Sequence, residues 1–118
     1  MSKRMKITPV QAFIEIAEVL NKAGVTSQRL GRVFMCHLGG PVSLSHASPD
    51  KSPEGLQRHY EAVRALGPTV NRGKPGPDLM RYKSDYQRSG VVYLTSAGRK
   101  LANKIQSIIE RIEVNSGN

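Results

Sequence analysis

The stretch LMRYKSDYQRSGVVYLTSAGRKL, residues 79–101, decides how this chain folds. Leu79–Lys83 and Val91–Leu94 are short runs of the kind that form extended strands, and Ser84–Gly90 between them is polar and turn-like. Two such runs around a polar turn predict a β-hairpin. A helix is expected to start after Thr95 and to reach about Ile112. Within it Leu101, Ile105, Ile108 and Ile112 recur at spacings of four, three and four. That is the seam of a coiled coil or of a tightly packed helix pair.

Upstream of the hairpin the pattern is helical. Ser52 is placed to cap a helix whose first residue is Pro53, with Leu56, Tyr60, Val63 and Leu66 as its apolar repeat and Gly67-Pro68 as its stop. Residues 68–78, PTVNRGKPGPD, carry three prolines and two glycines and are expected to be irregular. Val42–Pro49 reads as one or two helical turns with Ser43 near the start, followed by a turn at Asp50–Ser52. A helix from about Thr26 to Leu38 carries Leu30, Val33, Phe34 and Leu38 on one stripe and ends at Gly39-Gly40-Pro41. The first helix starts near Pro9 with Thr8 as cap, places Val10, Phe13, Ile14, Ala17 and Leu20 at helical spacing, and stops before Gly24. The predicted fold class is mainly α with a small β-hairpin wing, a winged helix-turn-helix. The expected layout is a flexible basic N-terminus over 1–8, one domain over 9–113 with dimerisation helices at both ends, and a disordered tail over 114–118.

The charge is lopsided. Lys and Arg number 18 against 9 acidic residues, a formal net charge of +9. Residues 51–100 hold ten of the basic residues (Lys51, Arg58, Arg64, Arg72, Lys74, Arg81, Lys83, Arg88, Arg99, Lys100) against Glu54, Glu61, Asp78 and Asp85. A concentrated basic field attracts polyanions, nucleic acid first and an anionic membrane surface second. The plain alternative is a solvated surface that serves solubility. One cysteine, Cys36, allows no intramolecular disulfide. No apolar run approaches a membrane span and no signal-type segment follows the charged start, so a cytoplasmic location and no membrane partner are expected.

Three segments resemble the MarR-type winged-helix transcription regulators. RSGVVYLTSAGRKL, residues 88–101, has a wing-tip Arg88 six residues before Leu94, then Thr95, then Gly98 and a long helix. SPEGLQRHYEAVRALG, residues 52–67, is similar to the family's recognition helix, with a polar start, Arg58 midway, and Val63 followed by Gly67. GPVSL, residues 40–44, matches the lead-in to the first helix of the helix-turn-helix. The resemblance spans about residues 8–113. The chain departs from the pattern in three places. The acidic residue two before the wing arginine is replaced by Tyr86, with Asp85 one position further back; Val42–Lys51 is short and holds Pro49; and 68–78 is an insertion.

The resemblance implies a homodimer built by the first and last helices, with Phe13, Leu101, Ile105, Ile108 and Ile112 at the interface, and two recognition helices meeting successive major grooves. Double-stranded DNA is the expected partner. Ser52, Glu54, Gln57 and Arg58 belong to the start of the recognition helix. Arg58 is suited to guanine and Gln57 to adenine. Arg88 would enter the minor groove or hold phosphate, while Arg81 and Lys83 on the first wing strand and Arg72 and Lys74 in the insertion are backbone candidates. Tyr82 and Tyr86 are expected to pack on the domain.

No enzyme signature is present, and no cofactor is expected. His37, His46 and His59 have no second ligand at metal spacing and are read as helix-surface or half-buried residues. Cys36, Met35 and Met80 are read as packing residues. The leading expectation is a DNA-binding regulator, with repression by promoter occupancy and room for a small-molecule effector between dimer helices. The second is a protein-interaction module of the sort a phage or plasmid carries, acting on a polymerase or another DNA-bound protein. The third is an architectural or partition protein with little sequence preference.

Overall fold

A computed structural model describes residues 6–69, 73–85 and 88–112, with the side chains of 85, 88 and 89 outside the description. Residues 1–5 of the flexible start predicted over 1–8, and the predicted tail over 114–118, lie outside the described residues, as do Arg72 and Tyr86. The element order is α1 (Pro9–Lys22), α2 (Gln28–Met35), β1 (Val42–Ser43), α3 (Leu44–Ala47), α4 (Pro53–Ala65), β2 (Met80–Asp85), β3 (Arg88–Leu94) and α5 (Ser96–Glu110).

Side-chain oxygens start every helix. Thr8, Ser27, Ser43, Ser52 and Thr95 each accept a backbone N–H from the first turn of the helix that follows. At α1 the arrangement is reciprocal, because the Gln11 side chain also accepts from Thr8 N–H. Helix α1 ends where Gly24 takes φ +94°, a left-handed conformation that costs glycine least. Helix α2 is shorter than the sequence predicts. It stops at Met35, and residues 36–40 run as turns up to Gly40 at φ +109°.

The hairpin is longer than predicted and is not alone. Strand β2 extends to Asp85 and β3 begins at Arg88, so the turn tightens, with a register shift between Lys83 and Asp85. Val42 and Ser43, read from sequence as the start of a helical segment, form β1 and pair with Val92 and Val91. The result is a three-stranded antiparallel sheet in the order β1-β3-β2. Val42 is β-branched, which favours extended backbone. Ser43 then switches direction by capping α3 through His46 N–H.

The main core gathers Phe34, Val63, Leu66, Met80, Val92 and Ile105, with Leu101 and Leu94 around them. The start of α5 is joined closely to Asp78 and Leu79, ahead of β2. The Thr95 hydroxyl donates to Asp78 O at 2.6 Å and accepts from Gly98 N–H, and Thr95 N–H donates to Leu79 O. A Cβ at Gly98 would overlap the Leu79 carbonyl, so the helix lies against the chain only because residue 98 is glycine.

The α5 seam is not free. Leu101 and Ile105 belong to the main core, and Ile108 is buried in a second cluster with Ile7 and Ala12, against which Ile16, Val19 and Ile112 also pack. The seam therefore has a partner inside the chain, and Leu101, Ile105 and Ile108 are buried there rather than open to the dimer interface that the resemblance implies. Helix α1 lies along α5, and the Arg111 guanidinium donates to Glu15 at 2.9 Å. Ile7, assigned from sequence to a flexible N-terminus, is buried instead, and its N–H donates to Arg111 O. Among the described residues no helix is long and apolar enough to cross a membrane.

Candidate nucleic-acid interface

Helix α4 turns one face into the protein and leaves the other open. Gly55, His59, Ala62 and Val63 are buried, and Leu56 and Tyr60 pack half-buried beside them. Glu54, Gln57, Arg58, Glu61 and Arg64 are exposed. The period of the helix puts these five on one side, and two of them are acids.

Asp50 organises the N-terminal end of α4. Its Oδ1 accepts from Ser52 N–H at 2.9 Å, and its Oδ2 lies 3.4 Å from Arg58 Nη2. The hydrogen bonding of Ser52, its side chain first and its backbone N–H next, holds the Asp50 carboxyl below its usual range, with Arg58 adding to the effect. Ser52 is half-buried, and its hydroxyl is occupied by Gly55 N–H. A Cβ at Gly55 would overlap the Asp50 carboxyl, so glycine makes room for this turn. Arg29 of α2 adds a second guanidinium, donating to Arg58 O at 3.3 Å. Lys51 closes the end of α3 through Ser45 O at 2.7 Å and His46 O at 2.8 Å.

The hairpin is tied to α4 by aromatics. Tyr60 and Tyr82 meet edge to face with ring centroids 5.1 Å apart. The Tyr82 hydroxyl accepts from Gly90 N–H, and Arg64 lies over the Tyr60 ring. Tyr82 packs on the domain, as expected. Along β2, Met80 and Tyr82 face inward, while Arg81 and Lys83 point the opposite way and are exposed. Arg81 is committed to Asp78, through Nε to Oδ1 and Nη2 to Oδ2, each at 3.3 Å.

The sequence-predicted DNA residues therefore separate into groups. Glu54, Gln57 and Arg58 share the open face of α4, and Ser52 is a cap beneath it. Arg81 and Lys83 occupy the outer side of the hairpin. Lys74 is exposed in the irregular segment, which closes on itself by a bridge between Thr69 and Pro75. Arg88 begins β3 opposite Asp85, with its side chain outside the description. Asp50 and Arg29 were not singled out from sequence. Asp two residues ahead of a capping Ser is a local signal for Asp50, whereas Arg29 acts across 29 residues and has no local signal.

Behind α4 lies a polar pair that the sequence did not reveal. His37 and His59 are both buried, with their Nε2 atoms 2.9 Å apart. This corrects the reading of both as surface or half-buried residues; His46 alone of the three is exposed. Burial, and then the neighbouring His59, push His37 down to about 4. Burial first, then the Lys51 ammonium, lower His59. Cys36 is half-buried, and burial raises its thiol above the ordinary range, so the thiolate is disfavoured. Among the described residues no three His, Cys, Asp or Glu side chains gather as a metal group. Family models, curated proteins and solved structures give no match to this chain.

Proposed function

We propose that the protein is a double-stranded-DNA-binding transcription regulator of the MarR-like winged-helix kind, acting as a homodimer and repressing by occupying a promoter. Helix α4 is the recognition helix and β2–β3 is the wing. The observation that carries this reading is the pairing of faces on α4. One side is locked into the core by His59 and Val63, while Gln57 and Arg58 stand open on the other, beside a hairpin braced to the same helix through Tyr60 and Tyr82. A rigid helix with exposed Arg and Gln is what reading guanine and adenine in a major groove requires. The net charge of +9 supports attraction to duplex DNA. The test is selection of bound fragments from a pool of random duplexes, with enrichment of a palindrome expected.

A second reading is a winged-helix module that docks on another protein. The observation that favours it is the charge already matched on this surface. Glu54 and Glu61 share the open face of α4, Arg58 is paired with Asp50, and Arg81 is paired with Asp78. Selection that enriches no sequence, together with weak binding to every duplex, would favour this module.

A further inference from the structure

We propose that the groove between α1 and α2 receives the same face of a second copy of this chain, so that the dimer is closed there and not along α5. This rests on the homodimer in the functional reading above and names its surface.

Helix α1 has more apolar faces than its own chain can cover. Ala12, Ile16, Val19 and Leu20 pack inward. Val10 and Phe13 remain 69% and 68% exposed, and Ile14 is 51% exposed. With Ala17 they repeat at three, one and three residues, a continuous stripe on the outer side of the helix. Such a contiguous apolar patch on a small soluble domain marks an interaction surface.

Beside the stripe runs a groove of about 710 Å³. Leu20, Val25 and Met35 lie in it, and Gly31 lies in the α2 wall with no side chain to fill it. Phe13, Ile14 and Ala17 form the α1 wall. Ridge and groove therefore belong to the same patch, which is the condition for a self-complementary two-fold contact. Phe13 of each copy enters the other's groove, as buried aromatic anchors do at interfaces.

The charges at the rim fit the same occupant. Glu18 on the α1 side and Arg32 on the α2 side both line the groove, and neither forms an ion pair with another described residue. A two-fold copy brings the opposite sign to each of them. The segments MSKRM, residues 1–5, and EVNSGN, residues 113–118, are short and mostly polar.

The experiment is light scattering and sedimentation of the full chain without DNA, over a range of concentrations. The wild type is expected at twice the chain mass. Phe13→Glu is expected to give a monomer with unchanged circular dichroism, because residue 13 lies outside both core clusters, and with melting that no longer depends on protein concentration. Its dimer dissociation constant should rise about 30-fold or more. Glu18→Arg and Arg32→Glu should each weaken the dimer, and the double variant should restore it. A wild-type monomer at every concentration, or a dimer untouched by Phe13→Glu, overturns the proposal. So does a monomer whose groove takes up an apolar dye, which gives the groove to a small ligand. A dimer that binds no duplex contradicts the DNA reading and leaves this interface standing.

Discussion

His37 and His59 share a single hydrogen bond, Nε2 to Nε2 at 2.9 Å, between the turn that ends α2 and the middle of α4. One ring must donate and the other accept, so the bond stands while one of the two Nε2 atoms keeps its lone pair and is lost when both rings are protonated. His37 Nδ1 has no hydrogen-bond partner. An unpaired acceptor is tolerated better than an unpaired N–H, which makes His37 the Nε2–H donor. The pair sits directly behind the open face of α4, so its protonation state bears on how that helix is held.

The first prediction concerns pH. His37 has a folded-state value of about 4 against an ordinary 6.5, and His59 is shifted the same way. The unfolded chain therefore binds protons more readily than the folded one, and stability present above 6.5 is lost as the pH falls toward 4. Urea unfolding should show a falling midpoint across that window. Replacing the pair with His37→Phe and His59→Leu should flatten it. An equally steep fall in the double variant would place the titration elsewhere.

Two glycines in helices should respond with opposite signs. Alanine normally stabilises a helix interior over glycine by about 1 kcal/mol. At Gly31 the new Cβ would meet Leu20 Cδ1 at 3.4 Å, an ordinary contact, so Gly31→Ala should hold or raise the melting temperature in the Phe13→Glu background, where the groove that Gly31 lines takes no second copy. At Gly98 the Cβ would overlap the Leu79 carbonyl, so Gly98→Ala should destabilise by about 1–3 kcal/mol. Thermal melts of both variants decide it, and an unharmed Gly98→Ala would contradict the close packing of α5 on Leu79.

Ile108 provides a check on where the α5 seam is used. It is buried against Ile7 and Ala12 of its own chain. Ile108→Asp should therefore cost about 3–5 kcal/mol in folding, through lost packing and a buried carboxylate. A stably folded monomer from this variant would mean that the residue faces a partner copy instead.

Local signals carried far in this chain. The starts of α1, α4 and α5 are legible at Thr8, Ser52 and Thr95, and all three side chains accept a first-turn N–H. The hairpin is legible because Leu79–Lys83 and Val91–Leu94 are short extended-type runs on either side of the polar Ser84–Gly90. What failed was pairing over distance. Val42–Ser43 became a strand because β3 offered it partners at Val91 and Val92, almost fifty positions away. The apolar residues of α5 look alike whether they meet α1 of the same chain or of another. The His37–His59 contact joins residues that are unremarkable singly. On α4 the open face was legible from the helical period, whereas the pairing of Arg58 with Asp50 depends on a turn whose shape only the fold supplies.

That pairing carries its own prediction. Arg58 must leave Asp50 to reach a base or phosphate. Asp50→Asn keeps an acceptor for Ser52 N–H but removes the charge that holds Arg58. Non-specific duplex affinity should rise, while Arg58→Ala should lose about 1–3 kcal/mol of specific affinity and relax preference at one base position. Fluorescence anisotropy on a selected site and on a scrambled duplex separates the two effects. An Arg58→Ala variant with unaltered affinity and preference would remove α4 as the reading helix.

The most direct test of the central claim is a titration of the 118-residue chain with duplex DNA against salt. Duplex binding should be tight at low salt and fall steeply as salt rises, with a log–log slope of about 0.9 for each phosphate neutralised. Lys83→Ser and Lys74→Ser should each lower that slope if those exposed lysines touch the backbone. Binding that strengthens further on a selected palindrome is the result the account predicts. No detectable binding to any duplex at low salt would contradict it.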